Sequence, residues 1–462
     1  MLAPLDILDQ LKARLGETID SVVSCNEHGF ASLVLAVPAL PAIAPQLTGA
    51  QFHFIQGHRR ELRTGYGIAG EWTAAGPERL QALRTAAKRL ARSWRQVDPD
   101  ETGFRGFAML GFAARSASLS TSTSSGLPNA VLWLPEAALC SRRGQGAIVL
   151  TTALPSTRGE VLARWTRRLD QLIPALAQPT ADPLRPAPLE RMSEQPDAQG
   201  WQRLVDSALR RIAHRDLQKV VIGRRIRMEG SRRFDLNRLV AALTFLFPSC
   251  QVVNVRRSDV SFVAATPERL LTQHGNVVEV DALAGTAPRA PDTALDALLT
   301  QRLCSSAKNL REHRLVVDAI RDALVRCSVR VEAPDQPQVM LLNNAQHLWT
   351  RIKAELRPGT DVFTLAELLH PTPATNGQPR REASAWLRDT DPFDRGWYTG
   401  AAGIVELDLT GELWVLVRCA EVVDRTADLY AGAGIVAGSD PSAEWRETED
   451  KLAAMLTALQ FA

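Results

Sequence analysis

Glu444, Glu447 and Lys451 follow a glycine-rich stretch in AGAGIVAGSDPSAEWRETEDKL, residues 431–452. On a helix turning about 100° per residue, their spacing of i, i+3 and i+7 puts them on one narrow face and sends Glu449 elsewhere. Two readings fit that face. It is a solvated surface with an i,i+4 Glu447–Lys451 pair, or it is an oxygen-ligand site beside an anion pocket. A second carboxylate, Glu312 in SAKNLREHRLVVDAI, lies one turn before Val316 and near the apolar side of its helix. A carboxylate is rarely buried unless it is paired or bound to metal. Two helices each offering a carboxylate suit Mg²⁺, which takes one or two carboxylates together with substrate oxygens and water. Zn²⁺ is disfavoured, because no His/Cys cluster has ligand spacing.

Lys219 opens the apolar run KVVIGRR. It either snorkels to solvent or, if buried, loses its proton easily enough to act as a base. Glu268 follows the strand-like FVAATP, which Pro267 ends, and by itself reads as a turn carboxylate. ALAGTAPR (282–289) and LHPTPATNGQP (369–379) are small-residue loops that let a backbone approach a ligand closely. His347 in AQHLWT and Arg418 in WVLVRCA are polar residues within apolar runs. A buried arginine requires an acidic partner or an anionic ligand.

These residues need a scaffold of some size. The chain has 462 residues, 45% hydrophobic and 23% charged, which are the proportions of a globular protein with a large core. A formal charge of +3 gives no support to nucleic-acid binding. The six cysteines lie far apart without a CxxC pair, so a reducing, cytoplasmic setting is expected. No apolar run is long enough to span a membrane, and the N-terminus lacks the features of a signal peptide. Strand-like runs occur at 31–40, 107–114 and 147–154, and RGEVLARWTRRLDQLIPAL reads as an amphipathic helix. A Ser/Thr-rich loop spans 116–128, and the proline-rich stretch 174–200 reads as a surface linker.

Beyond residue 200, WQRLVDSALRRIAHRDLQ is predicted to be a helix and KVVIGRRIRME a strand. VVNVRR, SFVAATP and VVEVDAL are predicted to be further strands. A long helical stretch from 295 to 327 is predicted to break near Ser305-Ser306. AAGIVELDLTGELWVLVRCAEVV reads as a hairpin turning around Leu409-Thr410-Gly411-Glu412. Clustered strands with antiparallel hairpins point to an α+β fold.

Taken in order, KVVIGR, ATPERL, ALAGTAPR, KNLREHRLVV, QHLWT, LHPTPATNGQP with FDRGWYTGAAG, and GAGIVAGSDPSAEWRETEDKL resemble the chorismate-utilising enzymes. That family holds anthranilate synthase component I and the isochorismate and salicylate synthases. The likeness covers about 200–462. It implies one large α+β domain, with pseudo-duplicated antiparallel sheets packed as a sandwich and helices outside. Residues 1–195 would be a variable half completing the fold, and 196–462 the chorismate-binding catalytic half. The lysine of KVV and the sequence HPTPA resemble the water-using isochorismate synthases, whereas ammonia users carry a different loop. Ala374 leans away from the salicylate synthases, the nearest alternative. A non-catalytic chorismate-binding homologue is the more distant one.

The resemblance implies roles. Lys219 is the base that activates water, and Glu268 is the acid that protonates the departing C4 hydroxyl, with opposed pKa shifts. Mg²⁺ is held by Glu312 and Glu447 with Glu444 nearby. Arg418, Tyr398 and the amides near Gly432 and Gly434 bind the enolpyruvyl carboxylate. Gly285, Thr286, His347 and Ala374 line the ring pocket, and Lys451 orients the metal-ligating glutamates. A monomer without a glutaminase subunit is expected. The isochorismate formed would feed menaquinone, siderophore or salicylate biosynthesis. Departures from the family pattern include Asn309, where many relatives have aspartate, and Thr375-Asn376, Asp281 and Gly223.

Overall fold

The computed structural model describes residues 4–24, 27–37, 40, 43–116, 126–176 and 186–462. Most of the Ser/Thr-rich loop at 116–128 therefore lies outside the described residues. Two large sheets, one 13-stranded and one 10-stranded, pack face to face. Between them, Phe52, Val253 and Phe262 of the larger sheet meet Met109, Val131, Trp133 and Ile404 of the smaller. The Phe52 and Trp133 rings cross this interface edge to face at 5.2 Å.

Helices cover the outer faces. Pro4–Thr18, Arg158–Leu176, Leu236–Leu246 and Pro441–Gln460 bury their apolar stripes on the larger sheet. Arg79–Arg92, Ala307–Val325 and Val362–Leu369 do so on the smaller. Of the predicted stripe Val161, Leu162, Trp165, Leu169 and Leu172, all are buried except Leu162, which is half-buried at its edge.

The larger sheet is built twice. From the seam pair Gln51–Gln56 and Gln251–Arg257, one half runs outward through Glu61–Tyr66, Ala137–Arg142, Gln145–Leu154 and Gly29–Val37. The other half runs through Val260–Thr266, Cys419–Val423, Thr426–Val436 and Lys219–Gly230. The two paths visit their strands in the same chain order, so the pseudo-duplication is visible in the topology. Pairing is antiparallel except at the outer edge of the first half, where Trp94–Val97 runs parallel to Gly29–Val37.

Three local features differ from, or refine, the sequence reading. Within the supposed linker, Leu189–Gln195 is an edge strand paired with Lys219–Gly230. Its side chains are mostly exposed, so it carries no apolar alternation that would reveal it. The long helix breaks where expected: Ser306 adopts extended backbone after Thr293–Ser305, and its hydroxyl caps Ala307–Val325 by accepting from the Asn309 amide at 3.3 Å. The hairpin forms from Ala401–Glu406 and Gly411–Val415, but the second apolar run does not stay in one sheet. Cys419–Val423 leaves for the larger sheet, and Arg418 sits at the crossing with a φ of 51°.

Candidate active site

The site lies where two neighbouring chain segments pass from one sheet to the other. Val260–Thr266 belongs to the larger sheet and Arg269–His274 to the smaller, so Pro267-Glu268 bridges them. Beside it, Gly411–Val415 gives way to Cys419–Val423 through Leu416-Val417-Arg418. Proline ends the first strand because it cannot donate to the ladder. The crossings are stitched together: the Val415 amide donates to Glu268 O at 2.9 Å and the Ala265 amide to Arg418 O at 3.1 Å. A candidate acid and a candidate anion anchor thus project from adjacent backbone into one cleft.

That cleft measures about 750 Å³ with its open mouth. Its lining includes Lys219, Glu268, Gly285, Thr286, Glu312, His347, Ala374, Tyr398, Arg418, Gly432, Gly434, Glu447 and Lys451. Of the residues to which the resemblance gives a catalytic, substrate-binding or metal role, Glu444 is the one that is not part of this wall.

Lys219 is 1% exposed, and its Nζ lies 2.9 Å from Glu312 Oε1. Glu312 is pushed up by burial, but Lys219 and the other nearby lysines outweigh this and hold it below the usual carboxylate range. Glycine is required opposite this pair, since a Cβ at Gly434 would stand 2.5 Å from Glu312 Oε1 and 2.9 Å from Lys219 Cε. Glu268 is buried, which raises its pKa to about 7. Lys219 and a 3.4 Å hydrogen bond from Thr372 Oγ1 pull the other way without cancelling the rise.

Arg418 is buried, and among the described residues no carboxylate forms an ion pair with it. Its Nη1 donates to Asn344 Oδ1 at 3.1 Å and its Nη2 to His347 Nε2 at 2.8 Å. His347 Nδ1 lies 3.1 Å from Thr286 Oγ1. Burial, and then Arg418, hold the His347 ring well below its ordinary pKa, so it is neutral. Gly285 carries a φ of 81° at a bulge between Ala284 and Thr286, which turns Thr286 toward His347. Tyr398 stacks on Tyr430 at 5.2 Å, and a Cβ at Gly432 would meet its hydroxyl at 2.6 Å.

The helix Pro441–Gln460 starts at Asp440, whose side chain accepts from the Ala443 amide at 2.8 Å. Lys451 Nζ bridges Glu447 at 2.7 Å and Gly432 O at 2.8 Å, tying this helix to the glycine strand. Glu449 points to Arg191 and Arg224 on the other face, as its spacing predicts. Glu444 is 2% exposed and turns to Lys308, with Nζ 2.5 Å from its Oε1. The oxygen-only set Glu312 and Glu447 fits a hard ion. Among the described residues, no group of three or more His, Cys, Asp or Glu is arranged to hold a metal. An ion here would therefore depend on substrate oxygens and water for the rest of its shell.

Sequence reasoning passed over Lys308, Thr372 and Arg395. Lys308 precedes Glu312 by one helical turn, a spacing that carried the signal. Arg395 had none. Its Nη1 donates to Thr375 O at 2.9 Å, its Nη2 to Val221 O at 2.7 Å and its Nε to Asp391 at 2.7 Å. It thereby clamps the 370–376 loop to the strand that bears Lys219.

A family model described as chorismate binding enzyme matches residues 18–460. The chain is 33% identical over 267 residues to an isochorismate synthase of Bacillus subtilis, covering 58% of this chain and 57% of that one. It is 37% identical over 261 residues to a salicylate biosynthesis isochorismate synthase of Pseudomonas aeruginosa, covering 56% and 54%. The aligned part thus spans little more than half the length of these curated relatives. The solved structure of the menaquinone-specific isochorismate synthase of Escherichia coli superposes with a TM-score of 0.80 at 27% identity, covering 99% of this chain and 100% of that chain. Anthranilate synthase component I of Streptococcus pneumoniae, at 20% identity and a TM-score of 0.69 over 90% of this chain and 94% of its own, shares the fold.

Proposed function

The chain belongs to the chorismate-binding enzyme family, and we propose that within it the protein is an isochorismate synthase, an isomerase dependent on Mg²⁺. The observation that carries this reading is the pairing, in one cleft, of a buried lysine with a carboxyl whose pKa is raised to about 7. Water addition at C2 of chorismate needs a base, and loss of the C4 hydroxyl needs an acid present in its protonated form near neutrality. Lys219 takes a proton from the incoming water. Glu268 gives its proton to the C4 hydroxyl, which leaves as water while the ring double bonds shift. One water enters and one departs, so the product is an isomer of the substrate.

Arg418 and Tyr398 hold the enolpyruvyl carboxylate, Arg418 because among the described residues it has no carboxylate partner of its own. Gly285, Thr286, His347 and Ala374 shape the wall against the ring, and Lys451 fixes Glu447. Glu312 and Glu447 would hold Mg²⁺. When bound, the ion supplies charge that grips the ring carboxylate and makes it a better electron sink. Isochorismate made here would serve menaquinone, siderophore or salicylate formation.

The test is incubation of the purified protein with chorismate, in Mg²⁺ or in EDTA, followed by chromatography. The expected result is a Mg²⁺-dependent mixture of chorismate and isochorismate, without salicylate or pyruvate above the no-enzyme rate. Stoichiometric salicylate and pyruvate would move the protein to the salicylate synthases. Absence of turnover in both media would overturn the catalytic reading.

A further inference from the structure

Each of the three acidic residues at this end of the cleft has a lysine of its own. Lys219 meets Glu312 at 2.9 Å, Lys451 meets Glu447 at 2.7 Å and Lys308 meets Glu444 at 2.5 Å. Lys219 and Lys451 line the cleft and have roles in the reaction proposed above. Lys308 lines none of it. It stands on the first turn of Ala307–Val325, one turn before Glu312 on the same helix face. Its ammonium interacts with Glu444 first, and beyond it with Glu312 and Glu447. Glu444 and Glu447 also feel each other's charge.

An ammonium and a hard divalent ion seek the same carboxylate oxygens, and each repels the other. We propose that Lys308 is a positioning residue that keeps Glu444 away from the metal and weakens divalent-ion binding at Glu312 and Glu447. The proposal rests on the reading that those two glutamates hold Mg²⁺. Lys308 acts in two ways. It occupies the Glu444 carboxylate, which would otherwise be free to join the ion's shell. It also places a positive charge beside the ion's two carboxylates.

Titration calorimetry with MgCl₂ on the full chain, without chorismate, tests this directly. The set is wild type, Lys308→Met, Lys308→Arg, Glu444→Gln and the Lys308→Met/Glu444→Gln double variant. Lys308→Met is expected to bind Mg²⁺ roughly tenfold more tightly than wild type, by removal of one nearby like charge. Lys308→Arg is expected to stay near wild type. In the Glu444→Gln background, loss of Lys308 is expected to change affinity by a smaller factor, because the two side chains act as a pair. Where Lys308→Met does not fold, Lys308→Gln carries the same test. Unchanged or weaker binding in the neutral variants would overturn the role of Lys308 and leave the metal assignment standing, and equal effects in both backgrounds would overturn its hold on Glu444. Absence of Mg²⁺ binding in wild type and variants alike, with chorismate added as well as without it, would overturn both.

Discussion

Arg418 donates through Nη2 to Nε2 of His347 at 2.8 Å. A guanidinium has only donors, so His347 Nε2 must accept and the ring proton must sit on Nδ1. That proton faces Thr286 Oγ1 at 3.1 Å, which leaves the threonine hydroxyl hydrogen free to point elsewhere. One buried charge thus fixes the direction of a chain of hydrogen bonds ending at the ring wall. Arg418→Ala removes the anion anchor and the direction together. Loss of one charged hydrogen-bond donor should lower kcat/KM for chorismate roughly ten- to hundredfold, chiefly through KM. Steady-state kinetics at fixed Mg²⁺ would check this, and an unchanged KM would refute it.

Glu268 must be protonated to act as the acid, and its pKa of about 7 sets where that form is lost. Activity should therefore fall as pH rises through about 7 in the profile of kcat/KM. Glu268→Gln cannot donate a proton and should lower kcat by about 10²- to 10⁴-fold.

The same group bears on stability, with a definite sign. Its folded pKa lies above that of an unfolded glutamate, so folding gains from the protonated form below about pH 4.5 and loses that advantage as pH rises through about 7. Glu268→Gln should therefore melt higher than wild type at pH 8, by on the order of 3 kcal/mol at most, and no higher at pH 4. Thermal melts at the two values decide it. Equal shifts at both would mean that the charge is not the cause.

Gly434→Ala is a steric probe of the Lys219–Glu312 pair. The added methyl would stand 2.5 Å from Glu312 Oε1, so the carboxylate must swing away. Gly434 has no positive φ, and the backbone itself accepts alanine. Turnover should fall at least about tenfold, in line with the cost of misplacing a reacting group, while the melting temperature changes little. Wild-type turnover would show that the pair is not needed in this geometry.

Arg395 and Asp391 form a buried pair, with the Arg395 side chain 3% exposed and Nε 2.7 Å from Asp391. Arg395→Ala leaves that carboxylate with Arg115 as its remaining cationic partner and frees the carbonyls of Thr375 and Val221. Breaking a buried pair from one side costs about 3–5 kcal/mol. Urea unfolding should record a loss of that order.

Local chemistry made part of this protein legible from its sequence. The helical period of Val161, Trp165, Leu169 and Leu172 fixes which face is buried, and the i, i+3, i+7 spacing sends Glu449 away from Glu447. Ser306 ends one helix and caps the next through interactions within a few residues. Such features are set by backbone geometry and near neighbours, so one strand of text contains their causes. The ordered motifs between 200 and 462 also contain most of the residues that line the cleft, although Val417, Arg418, Tyr430 and Ala431 lie outside them and Glu444, inside one, is not part of the wall.

The tertiary structure decided which charges meet. Glu444 lies on one helix face with Glu447, yet it pairs with Lys308, 136 residues earlier. Lys219 and Glu312 lie on different elements, a strand and a helix, and meet because that helix also packs against the smaller sheet. Arg418 reads as one residue in a continuous apolar run, but it marks the point where the chain changes sheets beside Glu268. Sheet order and the packing of two layers bring these groups together. Burial then does the electrostatic work, because a carboxyl such as Glu268 rises to about 7 only once surrounding side chains have excluded water from it.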